Sequence, residues 1–457
     1  MLRLRGGQLT IWDTILPAEV RELSAELAKI DALLDDDRFF KPYMKKFNQR
    51  MGRPTVPVDT FHRLMYLRHR HQLSYEALVR EVQDSIMWRQ FCRIPLDDRV
   101  PDSTTLVKLV KKYGPDILDQ LNETLICKAK EQKVLRGKKL RVDSTVVEAD
   151  IEHPTDADLM ADGIRTITRT VKQLQKAGVE VGKRFRDKTN SVKQQILSIA
   201  KVLQRRSQEA QDEVRQITGE ILKTARRVVV GAKHIVQQAE TALETVEQTA
   251  QGAIRRLIGR LKQITILTDR VVKQTEEVQS GNRHIPNRVV SLCDPDARPI
   301  RKGKLKSPTA FGYKVVIQET EDRLVTGYEV CQGNPTDDTV LVPAVQRHKK
   351  VFGRAPKQVT ADRGMASASN ERAIEALGVK QAALPRRGKL TADRTAHQKQ
   401  RWFRSLQRWR AGIEGTISLL KRKYGMRRTR LRGHCGARCW VAGAVWANNL
   451  TRLATME

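Results

Sequence analysis

KKLRVDSTVVE, residues 138–148, decides the fold. Val142, Val146 and Val147 are β-branched and Leu140 precedes them, which reads as a strand. Asp143 stands inside that strand, although aspartate is depleted in strands. The stretch that follows, 156–282, changes character. It has no proline, is rich in Gln, Lys, Arg and Glu, and carries apolar residues at helical spacing: Ile164, Ile167, Val171 and Leu174, later Ile254, Leu257, Ile258, Leu261 and Ile264. Long amphipathic helices are expected, with Gly178, Gly182 and Gly231 as candidate turns of antiparallel hairpins. Heptads are not sustained, so the pattern is not that of a continuous coiled coil.

Strand signals return at 312–332, where GYKVVIQET and RLVTGYEVC flank the charged pair Glu321-Asp322 and predict a hairpin. Asn334-Pro335-Thr336-Asp337 precedes a helix through Val340, Leu341 and Val345, and Asn334 and Asp337 read as helix caps. KQVTA, 357–361, is a further strand that runs into Asp362 and then Arg363-Gly364. A short helix, the short strand VKQAAL and a long basic helix complete the order. One strand, a hairpin, a helix, a strand and more helices make an α/β class, with an all-helical insertion after the first strand.

Upstream, the pattern is helical from Pro17 to about Ala129. A helix with Leu78, Val79 and Val82 follows a turn at Ser74, and a shorter one carries Ile86, Trp88, Phe91 and Cys92. Pro101-Asp102-Ser103 opens a third helix, Thr104 to Tyr113, which Gly114 is expected to end. With Lys108, Lys111 and Lys112 on the third helix, the set resembles a helix-turn-helix; the alternative is an ordinary helical packing domain.

A net charge of +33 over 457 residues implies a polyanionic partner, with nucleic acid ahead of an anionic membrane surface. No stretch approaches the roughly 20 apolar residues that span a bilayer. Met1 to Thr10 has basic residues without an apolar run behind them, so no secretory signal is expected. Six cysteines, at 92, 127, 293, 331, 435 and 439, are too scattered for a disulfide framework and fit a cytoplasmic, nucleoid-associated protein. His434, Cys435 and Cys439 cluster, but Cys-x3-Cys without a second pair speaks against structural zinc.

Three acids occupy awkward positions: Asp143 inside a strand, Asp362 at a strand's C-terminal end, and Glu414 in a helix crowded with arginine and lysine. Each has a plain reading, respectively edge protection, a turn residue and a surface ion pair. Together they match what phosphodiester chemistry requires. Hard divalent ions take oxygen ligands, and two of them about 3.5–4 Å apart stabilise both the attacking and the leaving oxygen.

This order of strand Asp, strand-end Asp and helical Glu resembles the DDE transposases of bacterial insertion sequences, whose core is RNase H-like. In one large group of them the Glu helix carries Tyr-x2-Arg-x3-Glu-x6-Lys. Here Arg410, Glu414 and Lys421 stand in register, Gln407 takes the tyrosine position, and Trp409 is the nearby aromatic that would substitute. Residues 334–362 resemble the family's approach to the second Asp, and 53–114 resemble its helical N-terminal domain. VDSTVVEADIEHPTDADLMADGIR, 142–165, resembles a subgroup usually left outside the main insertion-sequence classes.

The resemblance implies an RNase H-like mixed sheet in segments 131–155 and 283–440, a helical DNA-binding domain at 1–130, a helical insertion at 156–282 and a C-terminal helix or tail at 441–457. It implies strand cleavage at transposon ends and transfer of the resulting 3′-OH into target DNA, without a covalent protein–DNA intermediate. Asp143, Asp362 and Glu414 would hold two Mg²⁺ (or Mn²⁺) ions, and Arg410 and Lys421 would grip the DNA backbone. Terminal inverted repeats and target DNA are the expected partners, with a homodimer or higher oligomer on DNA and no membrane. Two rivals stand beside it. One is a metal-free recombinase built on Tyr424, His434 and Arg438; the other is a non-catalytic DNA-binding regulator derived from a transposase.

Overall fold

A computed structural model describes residues 1–6, 11–48, 51–181, 185–243, 248–282, 284–301, 308–386 and 388–456. It divides into two compact units: Met1–Asp150 with Tyr313–Glu457, and Ile151–Gly312. The strands in chain order are β1 (Lys139–Ala149), β2 (Arg298–Arg301), β3 (Thr309–Thr320), β4 (Val325–Val330), β5 (Gln358–Ala361), β6 (Gln381–Ala383) and β7 (Arg428–Thr429). The expected α/β class therefore holds as a mixed sheet among many helices.

In the first unit the sheet runs β4-β3-β1-β5-β6, with β1 central. β4 is antiparallel to β3, while β5 is parallel to β1 and β6 parallel to β5. The short β7 pairs with the end of β1, Glu148 opposite Arg428. Leu140, Val142, Val359 and Ala361 share one apolar core with Leu341, Ala344 and Val345 of helix Leu341–Phe352 and with Ile374. Because side chains alternate across a strand, Arg141, Asp143, Thr360 and Asp362 are delivered to the opposite face. There, helix Arg401–Lys423 packs on β1, β5 and β6.

The helical part of this unit is built on helix Val58–Arg70, whose residues from Val58 to His69 are all buried. Buried Arg63 is satisfied by Asp31, Asp35 and the carbonyl of Asp59. Helices Tyr75–Asp84 and Ile86–Cys92 form where expected, each capped by a serine hydroxyl, Ser74 and Ser85. The third helix starts at Ser103 under the Asp102 cap, and its regular run stops at Gly114 as expected. The chain kinks at Gly114 (φ 73°, ψ 177°) and continues to Glu131. The second helical run, from Pro115 onward, buries Ile117, Leu118, Leu121 and Leu125.

A boundary at 440/441, by contrast, is not found. Helix Gly433–Met456 runs unbroken through it, largely buried, against Ser103–Glu131 and Val58–Arg70. Gly443 permits the close approach, since a Cβ there would stand 2.3 Å from His69 Nε2. Among the described residues no helix is long and apolar enough to cross a membrane.

The second unit holds helices Asp156–Lys176, Thr189–Val202, Gln208–Ala242 and Gln248–Gln279 around their own core, including Ile164, Ile167, Val171, Ile221, Val228, Leu261 and Val271. A Cβ on Gly163 would lie 2.5 Å from Thr268 Oγ1, so the glycine lets helices Asp156–Lys176 and Gln248–Gln279 approach closely. Gly178 (φ +83°) sits in the turn after the first helix. Gly231 does not make a turn; it lies inside the 35-residue helix Gln208–Ala242, and Gly182 lies outside the described residues. The unit also reaches beyond the expected 156–282, because β2 pairs antiparallel with Thr309–Gly312 at the start of β3.

Candidate active site

The parallel register of β1 and β5 ends with Val142 opposite Ala361. One residue further along each strand stand Asp143 and Asp362, side by side at the edge of the pairing. Glu414 comes from helix Arg401–Lys423, one turn after Arg410. The Arg410 guanidinium joins all three. Its Nη1 donates to Asp143 Oδ2 at 3.3 Å and lies 4.0 Å from Asp362 Oδ1, while Nη2 donates to Glu414 Oε1 at 3.4 Å. Acids drawn from positions 143, 362 and 414 thus surround one cation.

Their exposures differ. The Asp143 side chain is 15% exposed, that of Asp362 50% and that of Glu414 68%. Burial pushes the Asp143 carboxyl up to about 6, and the charges of Asp362 and Glu414 add to that rise. The Ser144 N–H, donating to Asp143 Oδ1 at 2.8 Å, and Arg410 act in the opposite direction. One guanidinium against three carboxylates leaves negative charge uncompensated, and the donors are all hard oxygens, a set suited to Mg²⁺ or Mn²⁺. Each carboxylate is turned on Arg410, and among the described residues no three His, Cys, Asp or Glu side chains stand as a metal-holding group.

Several neighbours carry no signal in the local sequence. Arg141, two residues before Asp143, makes a two-pronged buried pair with Glu319 of β3, Nε to Oε2 at 3.0 Å and Nη2 to Oε1 at 2.8 Å. Thr416 Oγ1 donates to the same Glu319 Oε1 at 2.9 Å, and Arg141 Nη1 donates to the Trp409 carbonyl. A Cβ on Gly412 would stand 2.5 Å from Arg141 Nη1, so the glycine lets the helix settle on this pair. Gln407, at the position where the resemblance expects tyrosine, donates to Thr360 Oγ1 at 3.0 Å and to the Ala383 carbonyl at 2.6 Å. Gln407 therefore braces the Glu414 helix on β5 and β6, and the Trp409 ring packs on the Arg141 guanidinium.

The capping role expected of Asn334 and Asp337 is not found. The 3₁₀ turn Asp337–Thr339 follows Thr336, helix Leu341–Phe352 follows Val340, and neither has a side-chain cap. Asp337 Oδ1 instead accepts from Ser144 Oγ at 3.0 Å and lies 2.6 Å from Lys314 Nζ.

Lys421 is half-buried on the Glu414 helix; Lys108 and Lys111 are exposed, and Lys112 Nζ lies 3.9 Å over the Phe47 ring. The groups of the recombinase reading are engaged elsewhere. Tyr424 is buried, His434 Nε2 meets the Val330 carbonyl at 2.8 Å, and Arg438 pairs with Asp116 and Asp119.

Two family models match the chain. A transposase domain (DUF772) matches residues 17–112, and a transposase DDE domain matches residues 288–450. The chain belongs to the DDE-type insertion-sequence transposases. Within the chain, Asp362 and Glu414 fall inside the DDE match and Asp143 falls in neither match, since the helical unit separates β1 from the later strands in sequence. A curated protein of Rhizobium meliloti, uncharacterized protein ORF8 in the nfe locus, is 30% identical over 140 residues, or 30% of this chain and 66% of that protein. The chain thus spans just under two thirds of that relative. No solved structure matches the chain.

Proposed function

We propose that this chain cuts DNA strands at transposon ends and transfers the 3′-OH into target DNA, using Asp143, Asp362 and Glu414 in an RNase H-like core. The observation that carries this reading is the meeting of those three acids around Arg410. A central Asp-bearing strand, a parallel neighbour ending at the second Asp and a Glu-bearing helix across the same face support it. The three carboxylates would hold two Mg²⁺ (or Mn²⁺) ions, which supply charge stabilisation to the attacking and leaving oxygens.

Arg410 and Lys421 offset phosphate charge on the bound strand. The exposed Lys108 and Lys111 on helix Ser103–Glu131 serve backbone contact during recognition of the terminal inverted repeats. Handling two ends together calls for a homodimer or larger assembly.

The test is cleavage of a duplex carrying the inverted repeats that flank the gene. Wild-type protein cleaves with Mg²⁺ or Mn²⁺ and not in EDTA. Asp143→Ala, Asp362→Ala and Glu414→Ala each abolish cleavage while end binding, which comes mainly from Lys and Arg on phosphates, stays close to wild type. Cleavage in EDTA would point to a recombinase, and binding without any cleavage to a regulator; either overturns the proposal.

A further inference from the structure

We infer that Asp337 is a positioning residue that fixes the Asp143 strand relative to the Asp362 turn, with Lys314 as its counter-ion. The inference rests on the reading of Asp143 and Asp362 as ion-holding acids. Asp337 lies between them. One of its oxygens accepts from the hydroxyl of Ser144, the residue next to Asp143 on β1. Its other oxygen is where a Cβ on Gly364, two residues after Asp362, would stand 2.8 Å away. Gly364 does not adopt a left-handed backbone. Its lack of a side chain therefore serves the contact with Asp337 rather than the turn's conformation.

A second tie runs in parallel. Buried Asn370 donates through Nδ2 to the Asp338 carbonyl at 2.6 Å and the Met365 carbonyl at 2.8 Å. It thereby links the 3₁₀ turn holding Asp337 to the turn that follows Asp362. Lys314, on β3 with a side chain only 8% exposed, places Nζ 2.6 Å from Asp337 Oδ1 and donates to the Pro335 carbonyl at 2.7 Å. Its charge neutralises Asp337, so this fourth acid braces the site without adding to the repulsion among the other three. Outer partners of this kind orient ion-holding groups, and removing one weakens metal affinity or activity about tenfold to a hundredfold.

The experiment compares wild type, Asp337→Ala, Asp337→Asn and Gly364→Ala as full chains. Mn²⁺ binding is titrated by electron paramagnetic resonance without DNA, and the Mg²⁺ concentration for half-maximal cleavage and the end affinity are measured alongside. Asp337→Ala is expected to weaken Mn²⁺ binding and raise the Mg²⁺ requirement about tenfold or more, with end affinity unchanged. Asp337→Asn keeps an acceptor for the Ser144 hydroxyl but leaves the Lys314 charge without its counter-ion, and recovers part of the loss. Gly364→Ala pushes on Asp337 without deleting a polar group and gives a smaller weakening of the same kind, which serves if Asp337→Ala does not fold. Wild-type Mn²⁺ affinity in Asp337→Ala, or in Gly364→Ala should the former not fold, overturns the inference. Mn²⁺ binding by wild type without cleavage overturns the transposase reading alone; no Mn²⁺ binding by wild type overturns both.

Discussion

Glu319→Ala tests how the Glu414 helix is held against the central strand. The Arg141 side chain is 4% exposed and that of Glu319 is fully buried, and two hydrogen bonds join them. Removing the carboxylate strands a guanidinium in the interior, which costs about 3–5 kcal/mol. The Thr416 hydroxyl also loses its acceptor, worth about 1 kcal/mol. Against a domain stability on the order of 5–15 kcal/mol, this single change removes a large fraction. Replacing both partners with apolar residues, Arg141→Met with Glu319→Leu, leaves no buried charge and is expected to cost less than Glu319→Ala alone.

Urea unfolding of the full chain, followed by tryptophan fluorescence, reads both. A loss below about 1 kcal/mol in Glu319→Ala, or a double variant as unstable as the two single losses added, would refute the reasoning. Gly412→Ala separates positioning from stability at the same contact. A gain of about 1 kcal/mol in helix propensity offsets an overpacking cost of about 1–3 kcal/mol against the pinned guanidinium. Stability thus falls by at most about 2 kcal/mol while the helix carrying Glu414 moves off β1, and cleavage falls by more than the stability change accounts for.

Three further outcomes are expected. Arg410→Ala removes the cation that now occupies all three carboxylates, so Mn²⁺ binding in the absence of DNA tightens while cleavage falls; weaker Mn²⁺ binding would count against the geometry. Burial, together with Arg63 and Arg68 respectively, pushes His62 and His69 down to about 3, below their unfolded value of 6.5. Their neutral rings therefore contribute stability that is fully present above pH 6.5 and lost as pH falls toward 3. The urea midpoint should decline across that window, and an identical decline in His62→Gln/His69→Gln would argue against it. Gly163→Leu drives a side chain into buried Thr268 and overpacks the second unit by about 1–3 kcal/mol. Hydrogen exchange should then accelerate within 156–279 while helix Val58–Arg70 keeps its protection; equal loss in both would show that the units do not hold separate cores.

What sequence alone determined is what neighbouring residues encode. β1, the hairpin β3–β4 and β5 follow from alternation and β-branching, and the insertion's helices follow from their 3.6-residue spacing. Asp143, Asp362 and Glu414 stood out because each acid sits where local preference disfavours it. β7 carries too few residues to show a period, and β2, Arg-Pro-Ile-Arg, has a proline and only one β-branched residue to mark it. Gly114 reads as a stop, and the helix does break there; Asp337 reads as a cap when only its neighbours are weighed. Ser144 and Lys314, 193 and 23 residues from Asp337, claim its carboxylate. The pairing of Arg141 with Glu319 spans 178 residues, and the place of Arg410 among three acids spans 267 to Asp143. Backbone preference is fixed within a turn or two of chain, but which charge faces which is chosen by packing across the fold, and that choice exists only once the sheet and its covering helix have closed on each other.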